Sequence, residues 1–141
     1  MICYFDTSAF VPLLIDEPGS PRCERLWEAS DSVVSSRVLY AEAAAALAQA
    51  ERMNRITASQ YVSGRGMLAD MWQEVNVLDV DQALVERAAD LARDCGLRGY
   101  AAIHCASAER LKSGEPVVAC GGRRLLDACE AQVLATGDTA A

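Results

Sequence analysis

Residues 2–14 read ICYFDTSAFVPLL. Four apolar or aromatic residues run together without a polar break and stop abruptly at Asp6, the pattern of a short strand buried on both faces. Ser8 is placed to cap the helical turn that follows through Leu14, and DEPGSP at 16–21 breaks that turn. A buried strand that ends at an acid and passes straight into a helix is the opening unit of a parallel α/β sheet.

The unit recurs along the chain. A helix is expected over 22–29, then a second buried strand, SVVSS, at 32–36. A long Ala-rich helix follows over 38–53 with Glu42 in its second turn, and another from a Thr57 cap to about residue 73, weakened in its middle by Gly64 and Gly66. EVNVLDV at 74–80 reads as a third strand. Asp81 caps a clean amphipathic helix that runs to Cys95 and closes on Gly96. Gly99 opens a helix carrying Ala101 and His104, PVVAC at 116–120 is a fourth strand, and 123–129 a further helix. AQVLA at 131–135 supplies a fifth, edge strand. The expected fold is α/β: a three-layer α/β/α sandwich on a four- to five-stranded parallel sheet, one domain over 1–135 with a short polar tail at 136–141. In such sheets the working site lies outside the carboxyl ends of the strands. That rule selects Asp6, Ser36, Arg37, Gly121 and Gly122, with Glu42 and Ala101 near the same rim.

The totals narrow the class. A chain of 141 residues, 52% hydrophobic and 23% charged, is long and apolar enough to bury a core and is not of disordered composition. No apolar run reaches the roughly 20 residues of a membrane span, and the N-terminus lacks the basic start of a secretion signal, so a cytoplasmic protein is expected. Six cysteines without a C-x-x-C pair or zinc spacing read as reduced thiols packed as small apolar residues. A net charge of −7 argues against a generic nucleic-acid coat. Lys112 is nevertheless the sole lysine, and arginine is the residue that holds phosphate bidentately.

An acid ending a buried strand is costly to desolvate unless something pairs with it. Asp6 therefore reads either as a helix cap or ion-pair partner, or as a hard oxygen ligand for a divalent cation. Glu42, on the small-residue face of YAEAAAALAQA, poses the same alternatives. His104, the only histidine, has Ile103 and Cys105 beside it and no nucleophile frame nearby; it fits a packed position close to the site, hydrogen-bonded behind it.

These residues resemble the PIN-domain ribonucleases, specifically the VapC-type toxins of bacterial toxin–antitoxin pairs. YFDTSAFVPLL is similar to the family's opening strand, with its first acid at Asp6 and a supporting hydroxyl at Ser8. VVSSRVLYAEAAAAL resembles the second block, a hydroxyl at Ser36 before the helix that carries the family Glu, here Glu42. LRGYAAIHCASA is similar to the third block, and VVACGGRRLLDAC to the fourth. The resemblance covers nearly the whole chain. It implies Mg²⁺-dependent endonucleolytic cleavage of RNA, with Mn²⁺ as a substitute. Asp6 and Glu42 would be the metal-binding and catalytic acids, with Ser8 and Ser36 supporting them from behind.

Two family acids are absent while their frames persist: Ala101 and Gly122 stand at Asp positions. Two carboxylates supply about half the local charge of four, and each charge contributes on the order of a few kcal/mol at ~4 Å in a cleft of effective dielectric ~20. The expectation is a chain impaired in catalysis. Arg37, Arg98, Arg123 and Arg124 lie beside the acid positions and are candidate RNA contacts. The resemblance further implies a VapB-type antitoxin, transfer or ribosomal RNA as substrate, and a homodimer. Segment 53–72, with its methionines and tryptophan, is a candidate antitoxin groove. An inactive RNA- or antitoxin-binding module is the competing reading, and an unrelated small-ligand α/β domain a more distant one.

Overall fold

Strand β1 (Ile2–Phe5) occupies the centre of a five-stranded sheet. The computed structural model describes residues 1–140 of the chain. The remaining strands are β2 (Ser32–Ser36), β3 (Asn76–Leu78), β4 (Val117–Cys120) and β5 (Ala135–Asp138), in the order β3-β2-β1-β4-β5. All four pairings are parallel, with Tyr4 facing Val34 on one side and Val118 on the other. Each strand turns successive side chains to opposite faces. Cys3, Phe5, Val33 and Ala119 pack under helices α1 (Thr7–Leu14), α2 (Ser20–Ala29), α3 (Leu39–Arg52) and α4 (Ala58–Trp72). Tyr4, Val34, Val118 and Cys120 face α5 (Gln82–Cys95), α6 (Gly99–Glu109) and α7 (Arg123–Ala131). The three layers and the parallel sheet are those expected, with five strands.

Local chemistry explains most boundaries. Thr57 and Gln60 form a reciprocal capping box at the start of α4. Asp81 accepts the Leu84 N–H, and Gly96 closes α5 in the left-handed conformation at φ 66°. At the first helix the expectation fails. Asp6, not Ser8, is the cap of α1: it is extended, and its carboxylate accepts the Ser8 N–H at 3.2 Å. Being two residues nearer the strand, it meets the orphan amides of the first turn directly.

The C-terminus also differs. Ala131 ends α7, Val133 turns the chain at φ 63°, and Leu134 returns to the core, so AQVL is a helix end and a turn and only Ala135 of the expected strand enters the sheet. The edge strand lies at Ala135–Asp138 instead, and Thr139, 3% exposed, donates its N–H to the Cys120 carbonyl. Residues 136–138 of the expected tail thus belong to the sheet; Ala141 lies outside the described residues.

The strand order puts the site. From β1 the chain steps outward to β2 and β3 on one side and to β4 and β5 on the other, so the crossovers diverge between β1 and β4. Such a reversal leaves a crevice at the carboxyl ends of the two strands.

Candidate active-site cleft

A cleft of about 400 Å³ opens at that point, lined by Asp6, Thr7, Ser8, Glu42, Arg98, Ala101, His104, Cys120, Gly122 and Arg124 among others. Asp6 enters from the end of β1 and Glu42 from the first turn of α3, each set by the strand before it. The two carboxylates converge. His104 Nε2 lies 2.7 Å from Glu42 Oε1 and 3.5 Å from Asp6 Oδ1.

Hydroxyls from the first turn of α1 reach the same two acids. Ser8 Oγ donates to Asp6 Oδ2 at 2.6 Å and accepts the Gly121 N–H at 2.8 Å, which ties β1 to the loop after β4. Thr7 Oγ1 donates to Glu42 Oε1 at 2.9 Å and lies 3.3 Å from His104 Nε2. Behind the imidazole, the Tyr4 hydroxyl lies 2.7 Å from Nδ1, with the two rings edge-on at 5.8 Å. A carboxylate only accepts, so the short contact to Glu42 places a proton on Nε2. Burial opposes charge on His104, but the Glu42 hydrogen bond and the Asp6 and Glu42 charges outweigh it, and its pKa is raised above the ordinary value. Burial chiefly, with the Asp6 charge behind it, pushes the Cys120 thiol up to about 12, so this thiol at the cleft wall stays protonated at neutral pH.

Ala101 and Gly122 both line the same cleft. Gly122 caps α7 without any side-chain hydrogen bond, and α6 likewise starts at Arg98 without one. Among the described residues no group of three or more His, Cys, Asp or Glu side chains is arranged to hold a metal ion. With Asp6 Oδ2 bonded to Ser8 and Glu42 Oε1 bonded to both Thr7 and His104, the two acids do not form a cage that fits a resident divalent cation.

The structure separates the other candidates. Ser36 is fully buried and accepts the Val38 N–H at 3.3 Å; its hydroxyl orders the start of α3 and bonds neither acid. Arg37 forks onto Asp79 at 2.7 and 2.9 Å, and Arg123 is engaged by Asp127, Glu130 and Asp138. Arg98 and Arg124 reach the cleft, and among the described residues neither side chain has an ion-pair partner. Thr7 and Tyr4 escaped the sequence reading. His104 touches the acids directly instead of standing behind them. One available signal was its position three residues after Ala101, on the same face of α6.

Comparison with known proteins agrees with this geometry. The PIN domain family model matches residues 3–130. Ribonuclease VapC45 of Mycobacterium tuberculosis is 40% identical over 126 residues, covering 88% of this chain and 86% of that protein. Among solved structures, FitAcB from Neisseria gonorrhoeae superposes with a TM-score of 0.70 at 16% identity, covering 99% of this chain and 98% of that one. A toxin–antitoxin complex from Klebsiella pneumoniae gives 0.62 at 14%, covering 88% and 89%. No helix among the described residues is long and apolar enough to cross a membrane. With the parallel sheet, the paired acids at its switch point and a relative of this identity, the chain belongs to the PIN domain family and groups there with the VapC-type ribonucleases.

Proposed function

We propose that this chain is a VapC-type toxin whose Mg²⁺-dependent cleavage of RNA is impaired because Ala101 and Gly122 occupy acid positions. One observation carries the reading: Asp6 and Glu42 meet at one imidazole nitrogen in a cleft that Ala101 and Gly122 also line. The two losses therefore fall in the same site as the two surviving acids. Metal-assisted hydrolysis of a phosphodiester requires a cation to activate water and stabilise the leaving oxygen. The charge to hold it is halved here.

What remains supports recognition. Arg98 and Arg124, unengaged at the cleft mouth, suit the phosphates of an RNA strand, whereas Arg37 and Arg123 are occupied by acids and contribute less. A VapB-type antitoxin is the proposed partner, as in the Klebsiella complex named a toxin–antitoxin complex. Helix α4 exposes Val62 and Met67, and Met67 and Met71 border a groove of about 250 Å³ with Leu13 and Trp27, an apolar seat for a partner segment. A cytoplasmic homodimer acting on transfer or ribosomal RNA completes the proposal.

The test compares the chain with its Ala101→Asp/Gly122→Asp form, each folded, on transfer and ribosomal RNA with Mg²⁺ or Mn²⁺. Cleavage by the restored form should exceed that of the chain by at least about 100-fold, two charges at a few kcal/mol each being ample for that factor. Equal rates, or a folded restored form that leaves RNA intact, refute the account. RNA retention on a filter without cleavage favours the binding module.

A further inference from the structure

One side chain stands between the two carboxylates of the cleft. His104 is 2% exposed, sits with Nε2 between Glu42 and Asp6, and is backed at Nδ1 by the Tyr4 hydroxyl, itself fully buried in β1. A ring fixed at both nitrogens inside a close-packed core has no rotamer to retreat to without breaking a bond. A cation shared by the two acids would have to displace Nε2 from Glu42 Oε1, where it lies at 2.7 Å, and from beside Asp6 Oδ1, at 3.5 Å. Ala101 is one helical turn before His104 on α6, so no carboxylate on that face competes for the imidazole.

We infer that His104, and not a divalent cation, ties Asp6 to Glu42 in this chain, so that the cleft is a cation site closed by a side chain. The inference rests on the reading of Asp6 and Glu42 as the surviving acids of a nuclease cleft. It makes His104 a positioning residue: it holds two like charges in one place and keeps the site assembled without metal. Thr7 donates to the same Glu42 Oε1 and Ser8 to Asp6 Oδ2, so hydroxyls of α1 accompany the imidazole on both acids.

The chain has one histidine, so its two ring nitrogens give a single pair of imidazole signals in the nitrogen-15 NMR spectrum. Equimolar Mn²⁺, a paramagnetic probe, should leave those signals unbroadened, and millimolar Mg²⁺ or Mn²⁺ should move Tm by less than about 1 °C. In His104→Ala the acids are released, and Mn²⁺ should raise Tm by about 3 °C or more relative to the same variant in chelator. Mn²⁺ broadening of the imidazole in the unaltered chain overturns the inference. A folded His104→Ala that ignores Mn²⁺ as the parent does overturns it too. Should that variant fail to fold, the spectrum of the unaltered chain decides alone. The ribonuclease reading stands or falls separately, on cleavage by the Ala101→Asp/Gly122→Asp form.

Discussion

Replacing Gly122 by Asp tests whether that position faces the surviving acids. Sterically the change is free. The residue is extended at φ −100°, ψ 122°, and a Cβ there meets only Cys120 Sγ, at an ordinary 3.8 Å. A carboxylate at this N-cap can accept an amide of the first turn of α7, worth a few tenths of a kcal/mol over Gly. Losing a glycine from the unfolded chain adds about 0.4–1 kcal/mol. Repulsion works against both: two like charges about 7 Å apart at an effective dielectric of ~20 repel by about 2 kcal/mol, and Asp6 and Glu42 each contribute. Solvent screening at this exposed position cuts the repulsion by about half, so without divalent cations the substitution should destabilise by about 1 kcal/mol. For 141 residues the unfolding entropy is about 0.3 kcal/mol per degree, so Tm should fall by about 3 °C. Gly122→Asn supplies the cap without the charge and should raise Tm in the same buffer. Mg²⁺ should narrow or reverse the deficit of the Asp form and leave the Asn form unmoved. Calorimetric unfolding in chelator and in Mg²⁺ measures all three. If Asp stabilises as much as Asn in chelator, residue 122 does not face the acids and the lost-ligand account of it is wrong.

Two glycines on α4 should behave oppositely. At Gly66 a Cβ meets nothing within 4 Å, so Gly66→Ala should stabilise by about 0.8–1 kcal/mol in urea unfolding. At Gly64 the same methyl would lie 3.1 and 3.3 Å from the two methyls of Leu47, which is fully buried, so Gly64→Ala should lose that gain or reverse it; equal stabilisation at both sites contradicts the α3–α4 packing. Asp81, hydrogen-bonded by Arg110 and the Leu84 N–H, has its pKa lowered to about 2. A carboxylate depressed in the folded state adds stability above its unfolded pKa, and that contribution disappears as pH falls from about 4 towards 2. Asp81→Asn should therefore destabilise at pH 6 and approach the parent near pH 2; a pH-independent difference shows that the charge is not what matters there.

The legible parts of the fold were those with a local cause. Asp81, Gly96 and Thr57 announce helix ends because capping is settled within a few residues, and VVSS reads as a buried strand because nothing polar enough to be solvated interrupts it. Strand β5 was not legible. Ala135, Thr136, Gly137 and Asp138 have no apolar run or alternation; they pair because β4 offers an open edge, a tertiary cause absent from the local pattern. The neighbouring AQVLA looked more strand-like yet contains the turn at Val133, 78% exposed in the left-handed region. At the site, Asp6 and Glu42 could be singled out because an acid on an otherwise apolar element demands a partner. Thr7 and Tyr4 could not, since a hydroxyl beside a cap and a tyrosine in a strand are ordinary until His104 is brought between them.

The acid positions of this cleft are separable from its fold. What packs α6 onto the sheet is Ala102, Cys105, Ala106 and Ala108, all essentially buried, while Ala101 on the rim is only half-buried and Gly122 is exposed. Removing a carboxylate from either place opens no cavity and breaks no core contact. It relieves repulsion among like charges held close by the strand ends. On the proposed function, stability and metal-assisted chemistry oppose each other at this rim, as they do wherever a site gathers like charges. On that reading a chain without these two carboxylates keeps its sheet, its helices and the cleft arginines Arg98 and Arg124, and sheds electrostatic strain.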